Sequence, residues 1–265
     1  MLATASPGGL APAFAAARTR LGLVALLFGL ATIGWWWTIG RMRGMDAGPW
    51  TALGSLGFFI GAWVVMMGAM MFPSVAPTVA LYARMAGQRR PAAPLAFAGG
   101  YLVTWAAGGL LVFGVALAGS RVAGGVLEWG RAGRWLAGGT LLVAAVYELA
   151  PFKDACLGKC RSPLGFLLSS WRDGTAGALR MGAAHGAWCV GCCWALMGSL
   201  FALGIMNVGW MAFVAGLIAA EKIVPWRRVA IWGTAGVLLV LGVLMLADPS
   251  AIPGLTIPTG MGMGM

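Results

Sequence analysis

The sequence predicts an all-α, polytopic transmembrane bundle of about seven helices, and three observations carry that expectation. Hydrophobic residues make up 60% of the 265-residue chain and charged residues only 9%. With a mean hydropathy of +0.87, that is more apolar surface than a soluble domain could keep from water. The apolar residues come in long runs, and roughly 20 residues at 1.5 Å each are needed to cross the hydrocarbon core. Glycine occurs 43 times, often in pairs such as Gly99-Gly100, Gly108-Gly109, Gly124-Gly125 and Gly138-Gly139; small residues let membrane helices approach closely.

Residues 21–40 form the first run. Arg18 and Arg20 precede it as in a secretory signal, but it is longer than a signal core, and Trp35-Trp36-Trp37 stands where cleavage wants small residues. A retained anchor with an interfacial tryptophan belt is expected. Residues 52–72 form the second, stopped by Pro73 because proline cannot continue a helix. Residues 95–118, 135–150 and 187–206 follow. Residues 210–224 are short for a span, so six spans plus one short or re-entrant helix is the alternative to seven. Residues 229–247 complete the domain of residues 18–250. Residues 1–17 are expected as a disordered cytoplasmic tail and 251–265 as a flexible Gly/Met tail.

The net charge of +11 is a topology signal. With seven spans, 13 basic residues fall on one side: Arg18, Arg20, Arg84, Arg89, Arg90, Lys153, Lys159, Arg161, Arg172, Arg180, Lys222, Arg227 and Arg228. Arg41, Arg43, Arg121, Arg131 and Arg134 make 5 on the other. The positive-inside rule then places the N-terminus in the cytoplasm and the C-terminus outside. No contiguous basic stripe remains for a nucleic acid.

Ten sulfur-bearing residues and the chain's single histidine fall in three clusters. Met66, Met67, Met70 and Met71 lie in the second run, Cys156 and Cys160 after the fourth, and His185, Cys189, Cys192, Cys193 and Met197 at the start of the fifth. Thiolate, thioether and imidazole suit soft or borderline metals, copper(I) above all, with zinc as the alternative. On a helix His185, Cys189 and Cys192 share one stripe, with Cys193 at its flank and Met197 a turn beyond it. The topology sets all three clusters at one level near the cytoplasmic face. Cys189, Cys192, Cys156, Cys160 and His185 are the expected primary ligands, with Met66, Met70 and Cys193 as secondary donors. Lys153, Lys159 and Arg161 beside the thiols would favour thiolate. Each feature has a plainer alternative: methionine pairs pack apolar helices, and Glu221 beside Lys222 suits a snorkelling interfacial pair.

These strings, in order, make the chain resemble the bacterial predicted metal-binding integral membrane proteins, a family catalogued as a domain of unknown function. The resemblance rests on Met66-Met67 and Ala69-Met70-Met71 leading to Pro73, on Lys153 with Cys156-Leu157 and Cys160-Arg161-Ser162-Pro163, and on His185-Gly186 leading into Cys189-Val190-Gly191-Cys192-Cys193-Trp194-Ala195-Leu196-Met197. Met206-Asn207 and Glu221-Lys222 complete it. It covers roughly residues 55 to 230 and implies a multi-span inner-membrane protein that binds a metal.

Three classes of function follow. The first is a metal-binding membrane protein acting in transport, delivery or sensing, whose partners would be the bilayer, the metal ion, and a membrane metalloenzyme or soluble metallochaperone. The second is a thiol-disulfide carrier using Cys189 and Cys192 as a CxxC pair, with Cys156 and Cys160 as its exchange partner; against it, no second intramembrane cysteine is expected on another span. The third is an accessory subunit packing through its Gly-rich faces. Alternating Met261, Met263 and Met265 outside would offer thioethers to copper(I) in an oxidising compartment. One histidine without a carboxylate pair, no phosphate loop and no Gly-x-Ser-x-Gly speak against hydrolysis or phosphoryl transfer.

Overall fold

The computed structural model describes residues 10–42, 55–86, 92–123, 133–204, 207–252 and 255. Nine α-helices organise them: α1 (Leu10–Met42), α2 (Leu56–Ala86), α3 (Ala93–Ala123), α4 (Arg134–Glu148), α5 (Pro151–Arg161), α6 (Pro163–Ser169), α7 (Gly174–Leu203), α8 (Val208–Ile223) and α9 (Arg227–Ala247). No strand occurs among the described residues. Five helices are long and apolar enough to cross a membrane, and α4 with α5, bent by 67° from each other, makes a sixth if the pair is one broken span. At 16 residues, about 24 Å, α8 is the half-length helix allowed for at residues 210–224. Leu111, Val146 and Trp232 are among many large apolar side chains left exposed, as helices facing lipid require.

Two sequence expectations are corrected here. Helix α1 begins at Leu10, so the part of the expected tail from residue 10 is helical. Its Ala-rich sequence favours a helix, and Pro12 falls in the first turn, where its missing N–H matters least. Residues 1–9 and most of 251–265, the Met261, Met263 and Met265 string included, lie outside the described residues. Pro73 does not end its helix either: α2 runs through Pro73 and Pro77 to Ala86. In an apolar surround a chain that broke there would strand more backbone polar groups than one proline does, so the helix continues. Met66 to Met71 therefore sit near the middle of α2 rather than at its end.

The close pair in the bundle is α3 on α7. A Cβ on Gly182 would collide with the Phe97 carbonyl, and one on Gly100 with the Leu179 carbonyl. Glycine at both positions brings the two backbones together, and the Thr104 hydroxyl donates across the seam to the Ala183 carbonyl at 2.9 Å. Besides α3, α7 touches α4, α5 and α8, which makes it the hub of the fold.

The α7–α8 connection fixes a register. Gly204 takes φ +99°, a left-handed conformation open to glycine. Asn207 then caps α8, its side-chain oxygen accepting from the Trp210 N–H at 3.1 Å. Cys189 lies fourteen residues before Leu203 and Lys222 fourteen after Val208, so the returning helix brings both to one level, about 21 Å from the turn. Helices α4 and α8 end at this level and α5 and α9 begin there, tied by Tyr147 Oη donating to the Gly191 carbonyl at 2.5 Å and by Arg227 pairing with Asp154 at 2.8 Å. One layer thus collects helix ends, charges and sulfurs.

Because the Gly182 Cα faces backbone rather than a yielding side chain, Gly182→Ala should destabilise the protein by about 1–3 kcal/mol. A thermal melt in detergent checks this; an unchanged midpoint would show that α3 and α7 are not packed this closely.

Candidate metal centre

Helix α7 supplies most of the site. His185, Cys189, Cys192 and Cys193 are all buried, as expected of residues on and beside the inward stripe. The remaining contributor comes from α5, whose buried face repeats at i, i+3, i+4 and i+7: Lys153, Cys156 and Leu157 are buried and Cys160 half-buried. Pro151 at the first position starts this helix without an unpaired N–H. Its far end places Cys160 against α7.

The sulfurs of Cys160, Cys189 and Cys192 lie within 4.8 Å of one another. Cys160 and Cys192 are 3.8 Å apart, Cys192 and Cys193 3.3 Å, and Cys192 Sγ is 3.2 Å from the Cys189 carbonyl oxygen. All five cysteines are free thiols. Three sulfurs each about 2.3 Å from one ion stand about 4 Å apart, so a small contraction would let this trio share a metal. The donor set is soft and carries no carboxylate.

Cys189 is the most elaborately surrounded of the three. Tyr101 Oη from α3 lies 3.0 Å from its sulfur, and Lys222 Nζ from α8 donates to it at 3.1 Å. The same ammonium donates to Ser74 Oγ of α2 at 3.2 Å. Helices α3, α5, α7 and α8 thus meet around one sulfur and α2 reaches it through the ammonium, which would supply counter-charge to a thiolate.

The sequence misplaced the cations. Lys222 does not snorkel beside Glu221; it points to Cys189. Lys153 does not attend the thiols but is fully buried between two carboxylates, bonded to Glu148 and, at 2.8 and 2.9 Å, to both oxygens of Glu221. The reason is helical geometry: Lys153 and Cys160 share a face of α5 but stand seven residues, about 10.5 Å, apart along it. Arg161, just after Cys160, donates to the carbonyls of Glu221 and Val224. It thereby satisfies groups that the C-terminal end of α8 leaves unpaired.

Other expected ligands lie outside the trio. Cys156 packs where α5 touches α7: a Cβ on Gly191 would stand 2.9 Å from its sulfur, so the glycine makes room for the thiol. His185 is enclosed by the rings of Phe97, Tyr101 and Phe166, and its Nδ1 is buried with no hydrogen-bond partner. Met66, Met67, Met70, Met71 and Met197 are buried in the same core. Ser74, one turn beyond Met70 and Met71, carries the contact from α2 to Lys222, so the thioether face borders the centre. Tyr101 and Ser74 gave no signal in the sequence. The Glu148, Lys153 and Glu221 cluster could have been flagged, since ionisable residues inside apolar spans are functional candidates by default.

A model of the PpoB2 family, described as a copper chaperone, matches residues 60–245, a stretch that contains every sulfur and charge of this centre. No curated protein and no solved structure matches the chain. The chain belongs to the PpoB2 copper chaperone family.

Two outcomes follow from the geometry. Lys153→Met would leave Glu148 and Glu221 facing each other unneutralised, at about 3–5 kcal/mol; combining it with Glu148→Gln and Glu221→Gln should recover much of the loss in the same denaturation assay. Mild oxidation should join Cys160 to Cys192, giving one cross-linked peptide by mass spectrometry that Cys160→Ser abolishes. Cross-linking only to Cys156 would mean that α5 is turned the other way.

Proposed function

Starting from a chain of the copper chaperone family, we propose that it is a membrane-embedded carrier holding copper(I) on the thiolates of Cys160, Cys189 and Cys192 and delivering it to an acceptor. The observation that carries this reading is the convergence of three sulfurs from α5 and α7 within 4.8 Å. Two or three thiolates complete a linear or trigonal copper(I) site, whereas zinc asks for four donors, and the one imidazole, His185, stands outside the trio. Low coordination also suits delivery, because an incoming sulfur can bind before a resident one leaves.

Cys160 is the half-buried member of the trio while Cys189 and Cys192 lie deep. Exchange with a soluble metallochaperone or a membrane metalloenzyme would begin at Cys160, and Met66, Met67, Met70, Met71, Cys193 and Met197 would be reserve donors. We place the layer that holds the sulfurs and charges at the cytoplasmic edge of a bacterial inner membrane. The 13 basic residues counted for that side support this orientation, as do the short helices α4 and α8, both of which end at the layer.

A second reading, thiol-disulfide exchange, gains from the 3.8 Å between Cys160 and Cys192. That pair supplies a partner for Cys192 from a different helix, α5, although not from a second full-length span.

Purified under reducing, anaerobic conditions, the protein should bind one copper(I) per chain. Cys189→Ser with Cys192→Ser should lower affinity at least about 100-fold, while Cys156→Ser should change it little. Copper binding indifferent to the double substitution would refute the assignment. A protein isolated from cells wholly disulfide-bonded and unable to bind copper after reduction would favour the redox reading.

A further inference from the structure

Among the described residues Lys222 is the cation that hydrogen-bonds a cysteine sulfur, and it is held from two sides. Its ammonium donates to Cys189 Sγ at 3.1 Å and to Ser74 Oγ at 3.2 Å, and its level is set by the turn, from whose flanking helix ends Cys189 and Lys222 both stand fourteen residues away. Resting on the assignment of copper(I) to the thiolate trio, we infer that Lys222 is a specificity-determining residue, a fixed positive charge that makes the site prefer copper(I) over zinc(II).

The argument is one of charge counting. With three thiolates, copper(I) leaves a complex of charge −2 and zinc(II) one of −1; with two thiolates the values are −1 and 0. In either case the copper(I) complex is more negative by one unit. A neighbouring ammonium therefore stabilises it more, and does so strongly in a buried setting where water screens little. An ammonium has no lone pair to offer a metal, so Lys222 would stay outside the coordination sphere while donating to Cys189 Sγ, and Ser74 keeps it from swinging away. Lys153 cannot take over this task, being engaged by Glu148 and Glu221.

The test measures copper(I) and zinc(II) affinities separately, by competition against chromophoric chelators, on the full chain in detergent under anaerobic conditions. Lys222→Leu removes the charge and adds no donor atom. It should lower copper(I) affinity and narrow the copper-to-zinc affinity ratio by about 10- to 100-fold, while Lys222→Arg should hold the ratio near that of the unsubstituted protein. Ser74→Ala, which frees one side of the ammonium without touching the charge, should shift the ratio the same way by less, and it stands as the test should Lys222→Leu not fold. A ratio unchanged in Lys222→Leu, or in Ser74→Ala where that variant must serve, with copper(I) still bound one per chain, would overturn the role of Lys222 and leave the thiolate assignment standing. An unsubstituted protein that binds no copper(I) would overturn both.

Discussion

An ammonium buried in an apolar bundle must find a partner, because a bare charge is not tolerated there, and a cysteine sulfur is one that an otherwise apolar core can offer. The contact between Lys222 and Cys189 is where this requirement is met, and much of the architecture can be traced to it. The α7–α8 hairpin sets the two residues at equal distances from Gly204 and Asn207. Helix α3 lies close enough, through Gly100 and Gly182, for Tyr101 to reach the same sulfur. Helix α2 completes the enclosure with Ser74, which is possible only because the helix continues past Pro73.

A second ionic cluster stands beside the first and keeps it distinct. Glu221 and Lys222 are neighbours in sequence yet serve different networks, the carboxylate turning to Lys153 and the ammonium to Cys189. Lys153, shared between Glu148 and Glu221, locks the end of α4, the start of α5 and the end of α8 together, and Arg161 adds the last carbonyls of α8. This scaffold aims α5 so that Cys160, at its far end, meets Cys192. The sulfur trio drawn from α5 and α7 is thus positioned by a second set of charges that do not themselves touch the sulfurs.

The distribution of burial fits the proposed carrier role. Cys189 and Cys192 are deep, Cys160 is half-buried, and neither a disulfide nor a carboxylate fixes the donor set. A site built for permanent occupation gains from a closed tetrahedral shell; a trio with one accessible member is better arranged for exchange. The thioethers of α2 and Met197 are buried in the same core as the trio.

The apolar runs, the glycine pairs and the i, i+3, i+4 spacing of His185, Cys189 and Cys192 made the helical bundle and the inward sulfur stripe legible before any coordinates, because helical periodicity and the length of a span are local properties. Which sulfurs meet was not legible. Cys156 and Cys160 differ by one turn, and only the bend between α4 and α5 and the packing of α5 on α7 decide that Cys160 joins the trio while Cys156 fills the space beside Gly191. Nearness along the chain points to Lys159, Lys153 and Arg161 for the thiols, but Lys159 is exposed, and a buried charge is placed by the helices packed around it; those put Lys153 between two carboxylates and Lys222 on Cys189.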